Sequence, residues 1–304
     1  MIEVRTPGRE ALDLALLVAA LFAALGALAG CAPPRGTGSS AAAGASAQAI
    51  QNKGSDTLVN LALAWAEKYM GLHPEVRISV TGGGSGTGIA AMINKTVDIA
   101  NASREMTPEE IQAARKNGSD PVQFVVARDA IAVVVNRGNP IKGLTLQQIS
   151  DIYTRKITNW REVGGLDRPI VLLSRESNSG TYVYFLENVI RLGKKSNLLF
   201  SPDTLLMPSS QGISVEVEQN LNAIGYDGLG YVTDQQKTLG VAKDATSAYV
   251  LPSVQTVNDG SYPISRPLYM YTAGQPAGRE KSYLDWILGD GQAIVPQLGF
   301  VPLK

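Results

Sequence analysis

Apolar residues recur along the chain with two different periods, and each change of period predicts a boundary between elements. Three times, an apolar strand pattern is followed by a short loop of Gly, Ser and Thr and then by apolar residues at helical spacing. The strands are predicted at 49–52, 76–80 and 170–173, and the helices begin near Leu58, Ile89 and Ser179. Repeated strand–loop–helix units are typical of an α/β fold.

The loops at these three helix starts suit an anion. The N–H groups of a first helical turn have no partner within the helix and carry roughly half a positive charge, and Ser and Thr hydroxyls flank them here. Three such starts present roughly +1.5 charges, to which Arg175 adds a full charge. We therefore expect a small polyanion to bind where they meet. Taken singly, the loop at Ser179 is equally compatible with an ordinary N-cap beside a surface arginine.

Further elements follow from capping patterns and β-rich runs. Helices are predicted to begin after Thr107 and Thr145, because each starts a sequence with capping-box spacing. Strands are predicted at 97–100, 122–126, 130–135 and 268–271, a pair of short strands at 223–232, and helices at 215–222, 281–288 and 291–298. Arg128 and Asp129 separate the runs 122–126 and 130–135, so these are expected to be two strands.

The simplest topology for these elements has two lobes, one of them discontinuous. Residues 49–130 and 262–304 are expected to form lobe 1, and residues 131–261 to form an inserted lobe 2. Each lobe is predicted to be a mixed sheet flanked by helices, with the anion in the cleft between them.

Ser103 and Arg104 follow the predicted strand 97–100 and therefore lie at its carboxyl end. In open α/β sheets ligands bind at that edge, which makes both residues candidates for the site. The alternative for Arg104 is a surface ion pair with Glu105 or Asp98.

The N-terminal segment predicts export and lipid attachment. Residues 1–30 have the pattern of a signal peptide, with Arg5 and Arg9 before an apolar run that is shorter than a full membrane span. Cys31, the only cysteine, ends a Leu-Ala-Gly-Cys sequence like the lipobox of bacterial lipoproteins; a buried cysteine is the alternative. Residues 31–48 are thus the lipidated cysteine and a flexible tether, which would hold the protein on the outer face of a membrane.

Composition and charge restrict the function. The 304 residues are 44% hydrophobic and 18% charged with a formal net charge of zero, which is typical of a soluble protein and gives no indication of nucleic-acid binding. The single histidine, His73, precedes a proline in a predicted loop, and no second histidine could form a metal pair with it. We expect neither a metal nor a cofactor.

Two enzymatic alternatives have weak support. Residues 86–91 match the dinucleotide pattern G-x-G-x-x-A after a strand, but no acidic residue ends a following strand about 20 positions on. A serine hydrolase or phosphatase using Ser85 or Ser179 would need a base, and neither serine lies in G-x-S-x-G. The chain is therefore not expected to be an enzyme.

Five ordered blocks of sequence together resemble the phosphate-binding lipoproteins of bacterial ABC phosphate importers. The blocks are 54–57, 81–103, 174–181, 223–226 and 262–269, so the resemblance covers nearly the whole chain after the tether. It implies a two-lobe type II periplasmic-binding-protein fold, hinged by two crossing strands and closing on inorganic phosphate. We expect an extracytoplasmic monomer that delivers phosphate to the membrane permease subunits of an ABC importer.

Carried over by position, the resemblance places the phosphate site on both lobes. Hydroxyls would come from Thr57, Ser85, Ser179 and Thr181, a guanidinium from Arg175, and backbone donors from Leu58 and Gly180. Asp56, Ser103 and Arg104 complete the set of predicted ligand-binding residues.

One position departs from the family pattern and bears on selectivity. Where family members have an Asp that accepts the proton of hydrogen phosphate, this chain has Arg104. An O–H of the anion that faced only donors would stay unpaired, so another acceptor is needed, and our hypothesis is that Asp56 supplies it. Receptors for sulfate or molybdate, and an anion sensor without transport, are the alternatives.

Overall fold

The apolar runs form the ten strands of one sheet in the computed structural model, which describes residues 49–303. The strands are β1 (Ile50–Gly54), β2 (Ile78–Thr81), β3 (Ile99–Ala102), β4 (Val122–Asn136), β5 (Gly143–Thr145), β6 (Val171–Arg175), β7 (Leu205–Met207), β8 (Ala223–Gly228), β9 (Gln236–Ala242) and β10 (Ser265–Thr272). Their order is β2-β1-β3-β10-β4-β8-β6-β7, and β9 pairs with β4 and β5. The expected α/β fold class is thereby confirmed.

Helices connect these strands. They are α1 (Asp56–Leu72), α2 (Ser85–Ile93), α3 (Pro108–Lys116), α4 (Leu146–Tyr153), α5 (Gly180–Phe185), α6 (Ser210–Gln219), α7 (Val254–Asn258) and α8 (Gly278–Leu288). A π-helical segment, Leu186–Ile190, continues α5, and 3₁₀ segments lie at Trp160–Val163, Leu229–Tyr231 and Asp290–Leu298. Both capping boxes predicted at Thr107 and Thr145 form, which confirms the starts of α3 and α4.

Two sets of parallel strands, which run in opposite directions, point their carboxyl ends toward each other at the middle of β4. β1 pairs in parallel with β2 and β3, and β6 pairs in parallel with β7 and β8. The loops that precede α1, α2, α5 and α6 leave the carboxyl ends of β1, β2, β6 and β7, respectively. Parallel pairing therefore places these helix starts where ligands bind in α/β sheets.

β4 runs without a break through the polar pair that was expected to divide it. Its first part pairs with β10, and its second part, from Ile131 onward, pairs with β8 and β9. The prediction of two separate strands was wrong because Asp129 is buried opposite Arg266 of β10, which balances its charge. A single strand thus joins the two parts of the sheet.

Two other boundaries differ from the sequence prediction. α6 begins earlier than the expected 215–222, because the Ser209 hydroxyl accepts a hydrogen bond from Gly212 N–H and caps the helix. The expected strand pair at 223–232 is one strand, β8, followed by a 3₁₀ turn. The chain turns after Gly228 because Leu229 N–H donates to Asp129 and the Tyr231 hydroxyl donates to the Asp56 carbonyl.

The apolar side chains form separate clusters on the two parts of the sheet. One cluster contains Trp65 and Leu268, and another contains Tyr153 and Tyr226. The described residues belong to one compact unit, so the boundaries of the two lobes stay a prediction. None of the helices within 49–303 is both long and apolar enough to span a membrane. The predicted signal peptide, Cys31 and tether lie outside the described residues.

The packing of α2 against β1 depends on the absence of a side chain at Gly88. A Cβ there would lie 2.4 Å from the Lys53 carbonyl oxygen and 2.5 Å from Gly54 Cα. We predict that Gly88→Ala destabilises the fold by about 1–3 kcal/mol, because neither backbone can move aside cheaply. Gly71→Ala is the control, since nothing lies within 4 Å of a Cβ at that position in α1. Equal denaturant midpoints for the Gly88→Ala variant and the wild type would contradict this packing.

Candidate functional site

Hydroxyl groups from distant parts of the chain meet where the carboxyl ends of the two sets of parallel strands face each other. The Thr57 and Thr181 Oγ1 atoms, in the first turns of α1 and α5, are 2.9 Å apart. The Ser85 Oγ atom, at the start of α2, is 3.2 Å from Ser103 Oγ at the end of β3. Each of these four residues is at most 1% exposed. The fold therefore brings four predicted ligand-binding residues into two direct contacts.

Gly180 allows the two contacting pairs to approach each other. A Cβ at this position would lie 2.4 Å from Ser85 Oγ and 2.6 Å from Ser103 Oγ. The neighbouring Asn178 strengthens the same junction, because its carbonyl accepts from Gly86 N–H and its side-chain amide donates to the Gly83 carbonyl. The loop before α5 thus packs directly on the start of α2.

Arg175 is buried at the end of β6 and forms a network with α1 and α6. Its Nη1 atom is 2.8 Å from Ser210 Oγ and 3.3 Å from Asp56 Oδ2, and its Nη2 donates to the Pro208 carbonyl at 3.1 Å. Asp56 Oδ2 also accepts a 2.7 Å bond from the Ser210 N–H. The Asp56 carboxylate thereby caps α6, and it faces the guanidinium as well.

Two predicted residues are engaged elsewhere. Arg104 donates to both carboxylate oxygens of Glu110 at 2.7 Å, and this contact raises the pKa of its guanidinium. Its ion-pair partner is therefore Glu110, not Glu105 or Asp98. The Leu58 N–H donates to the Ser55 carbonyl at 3.1 Å, while the Leu58 side chain is buried in the core.

Several hydroxyls of the cluster already accept a hydrogen bond from the protein. Ser85 Oγ accepts from Ser103 N–H at 3.0 Å, and Ser179 Oγ accepts from Thr181 N–H at 3.2 Å. A hydroxyl has one proton and two lone pairs, so an occupied lone pair directs the proton elsewhere. Each of these side chains thus keeps its proton available, and a proton donor is what an oxyanion requires.

Buried charged residues that sequence reasoning missed surround the cluster. Asp129 and Arg266 form an ion pair in which neither side chain is more than 1% exposed, and Asp227 lies at the end of β8. Ser210 and Tyr231 also contact the predicted residues. A usable signal existed: Asp227 and Arg266 are each the only charged residue of a strand run, and Asp129 lies with Arg128 between two apolar runs, where a buried charge needs a partner.

Asp227 is the least compensated of these charges. Its Oδ1 accepts from Gly228 N–H, while its buried Oδ2 has no hydrogen-bond partner within the described residues. Burial raises the pKa of Asp227 to about 7, against the opposing effects of Arg175 and Ser210, and Asp129 raises it further. Burial likewise raises the pKa of Asp129, although Arg266 opposes that rise.

An open groove of about 470 Å³ runs beside the cluster. It is lined by Ser103 and Arg266 of the cluster region, by Arg104, whose guanidinium is paired with Glu110, and by Tyr184, Glu187 and Tyr269. Across residues 49–303, no group of three or more His, Cys, Asp or Glu side chains is arranged to hold a metal ion.

The sequence matches a known family and several phosphate-binding proteins. A family model for PBP superfamily domains matches residues 39–290. The phosphate-binding protein PstS of Pseudomonas aeruginosa is 36% identical over 84% of this chain and 83% of its own length. PstS of Bacillus subtilis is 31% identical over 82% of this chain and 79% of its own length.

Solved structures extend this similarity to the fold. A Clostridium perfringens protein with bound phosphate, described as a phosphate ABC transporter substrate-binding protein, aligns with a TM-score of 0.76 at 34% identity. The alignment covers 84% of this chain and 100% of that chain. An ABC-type phosphate transport receptor from Vibrio cholerae aligns with a TM-score of 0.66 at 29% identity, covering 83% and 99%.

The raised pKa of Asp227 predicts that stability falls as pH rises. Its carboxyl has a pKa of about 7 in the folded protein and about 3.9 when unfolded, so the folded state binds more protons between these values. Stability contributed by the neutral form is complete below about pH 4 and is lost by about pH 7. In Asp227→Asn we expect this loss, about 2–4 kcal/mol, to disappear.

The measurement is denaturant unfolding of wild type and variant at about pH 5 and about pH 8. The variant should be the more stable protein at the higher pH, and the difference should shrink at the lower pH. Asp234→Asn is a matched control, because Asp234 is exposed on the surface. A difference that is the same at both pH values would show that Asp227 does not titrate as expected.

Proposed function

Because this chain belongs to the PBP superfamily, and within it to the phosphate-binding proteins of ABC importers, we propose that it captures inorganic phosphate outside the cytoplasm for such an importer. The observation that carries the proposal is the contact between Thr57 and Thr181, whose Oγ1 atoms lie 2.9 Å apart although 124 positions separate them in sequence. The ligand site would lie where these hydroxyls meet Ser85, Ser103, Ser179 and the Gly180 N–H.

The chemistry of these groups matches a tetrahedral oxyanion. Each oxygen of phosphate accepts more than one hydrogen bond, and the cluster consists mainly of donors whose orientation is fixed by the protein. Arg175 supplies a buried guanidinium, and hydrogen bonds between charged groups and an anion contribute about 1.5–3 kcal/mol each. A few such bonds account for micromolar affinity, roughly 8 kcal/mol, after the cost of association.

Selectivity for phosphate over sulfate needs a hydrogen-bond acceptor, and Asp56 is our candidate. Its Oδ2 is committed to Ser210 N–H and Arg175, but its Oδ1 accepts no hydrogen bond from residues 49–303. Oδ1 lies 3.5 Å from the position of a Cβ on Gly82, so it faces the loop that begins α2. Arg104 can only donate, and Glu110 already binds it.

The N-terminal segment completes the proposal. Removal of residues 1–30 and lipidation of Cys31 would leave a monomer anchored to a membrane, with 32–48 as its tether. The partners would then be phosphate, the lipid bilayer and the permease subunits of the importer.

A nucleophile activated by histidine does not fit the geometry. The only histidine, His73, follows the end of α1, whereas Thr57 lies at its start. The helix has 17 residues and is therefore about 25 Å long, far beyond the reach of a general base. His73 therefore cannot activate Thr57, and the relationship to phosphate-binding proteins supports a binding role.

Arg175→Ala should weaken phosphate binding by about 2–5 kcal/mol, as for truncation of one partner in a buried charge pair. Titration calorimetry with phosphate, sulfate and molybdate measures the effect and also tests which oxyanion is the ligand. Arg161→Ala is the control, because that arginine is exposed and pairs with Asp167 on the surface. A loss smaller than about tenfold, about 1.4 kcal/mol, in a folded Arg175 variant would remove Arg175 from the site.

Asp56→Asn should reduce the preference for phosphate over sulfate. The amide offers an N–H where the carboxylate would accept a hydrogen bond from the phosphate O–H. The ratio of the two dissociation constants, measured by competition at constant pH, is the relevant quantity. Unchanged phosphate affinity together with an unchanged ratio would exclude Asp56 as the acceptor.

A further inference from the structure

A buried ion pair connects the two long strands beside the site. Asp129 of β4 and Arg266 of β10 are register partners, and their side chains are 0% and 1% exposed. Asp129 Oδ2 accepts from Arg266 Nη2 at 3.0 Å and from Nε at 3.3 Å. The backbone N–H of Leu229 donates to the other oxygen of Asp129. The guanidinium therefore has a fixed plane and a fixed direction.

The remaining donors of Arg266 reach the residues of the candidate site. Nη2 is 2.8 Å from Thr181 Oγ1 and 3.4 Å from Thr57 Oγ1, while Nη1 donates to the Ser103 carbonyl at 2.9 Å. Thr57 lies in the first turn of α1, Ser103 directly follows β3, and Thr181 lies in the first turn of α5. One side chain thus contacts the ends of three elements that come from both parts of the sheet.

The chemistry of a guanidinium determines what these contacts do. Arginine has five N–H donors and no acceptor, so the threonine oxygens can only accept from it. Each threonine then has its own proton left to donate. The two hydroxyls share one proton in their mutual 2.9 Å contact, and the second proton is available to an anion.

From these contacts we propose that Arg266, held by Asp129, is a positioning residue that fixes the Thr57–Thr181 hydroxyl pair so that its one free proton points to the bound oxyanion. The proposal rests on the proposed phosphate-binding function and extends it to a pair of residues on the connecting strands.

A structural role alone is a weaker explanation of the pair. Burying two charges costs desolvation free energy, and replacing a buried ion pair by apolar residues of similar size is often neutral or stabilising. The ring of Tyr184, with its centroid 5.6 Å from the guanidinium carbon, covers the arginine and excludes water further. A purely structural ion pair would affect stability and leave phosphate affinity unchanged, so measuring both quantities separates the two roles.

The test compares a single and a double variant. Arg266→Met leaves Asp129 buried and unpaired, so we expect a lower unfolding midpoint together with weaker phosphate binding. In Arg266→Met/Asp129→Leu the charge is gone, and we expect the midpoint to recover. The dissociation constant for phosphate should nevertheless stay at least about tenfold above that of the wild type, mainly through faster dissociation. Recovery of both stability and affinity to wild-type values would overturn the positioning role.

A conservative variant keeps the test decisive if the double variant does not fold. Arg266→Lys retains the charge and can pair with Asp129, but a single ammonium cannot hold Asp129, Ser103 and both threonines at once. Its dissociation constant should rise by about tenfold or more with little loss of stability, and wild-type affinity in this variant would contradict the proposal.

Arg128→Met is the matched control. Arg128 precedes Asp129 on β4, but its guanidinium donates to Asn258 and to the Pro302 carbonyl, away from the site. Its phosphate affinity should equal that of the wild type. If the wild-type protein itself bound no phosphate, the proposed function would fail, whereas equal binding by wild type and the Arg266 variants would reject only the role of Arg266.

Discussion

Charges buried in the middle of a sheet must find their partners inside the fold, and this constraint shapes the region around Asp129. Because Arg266 lies opposite it, β4 continues through a position that would otherwise interrupt an apolar strand. The same guanidinium then contacts threonines at the starts of α1 and α5. Strand continuity and the geometry of the site therefore depend on one interaction.

The hydrogen-bonding capacity of the hydroxyls would allow the proposed site to bind an anion with few charges. Backbone N–H groups occupy one lone pair on Ser85 and one on Ser179. The orientation of these donors is fixed during folding, so an anion that binds there does not have to order them. Asp56 and Arg175 add opposite charges at one side of the cluster, where α6 begins.

Local chemistry made part of this structure predictable from the sequence. Thr107 and Thr145 start their helices with bonds that reach only three positions along the chain, and Ser179 caps α5 from two positions away. The loops at helix starts and the resemblance to phosphate-binding proteins together indicated the hydroxyls that meet in the cluster. Asp129 and Arg266, by contrast, are 137 positions apart, and a single sequence carries no record of which strands become neighbours.

Position 180 illustrates a consequence of close packing for the evolution of the chain. The α-carbon of Gly180 faces two serine oxygens at distances that leave no room for a methyl group. Every genetically encoded substitution adds at least that group, so it requires the Ser85 and Ser103 hydroxyls to turn away from position 180. Selection at this residue would therefore persist in a descendant that had changed its ligand but kept the same contact between loop and helix.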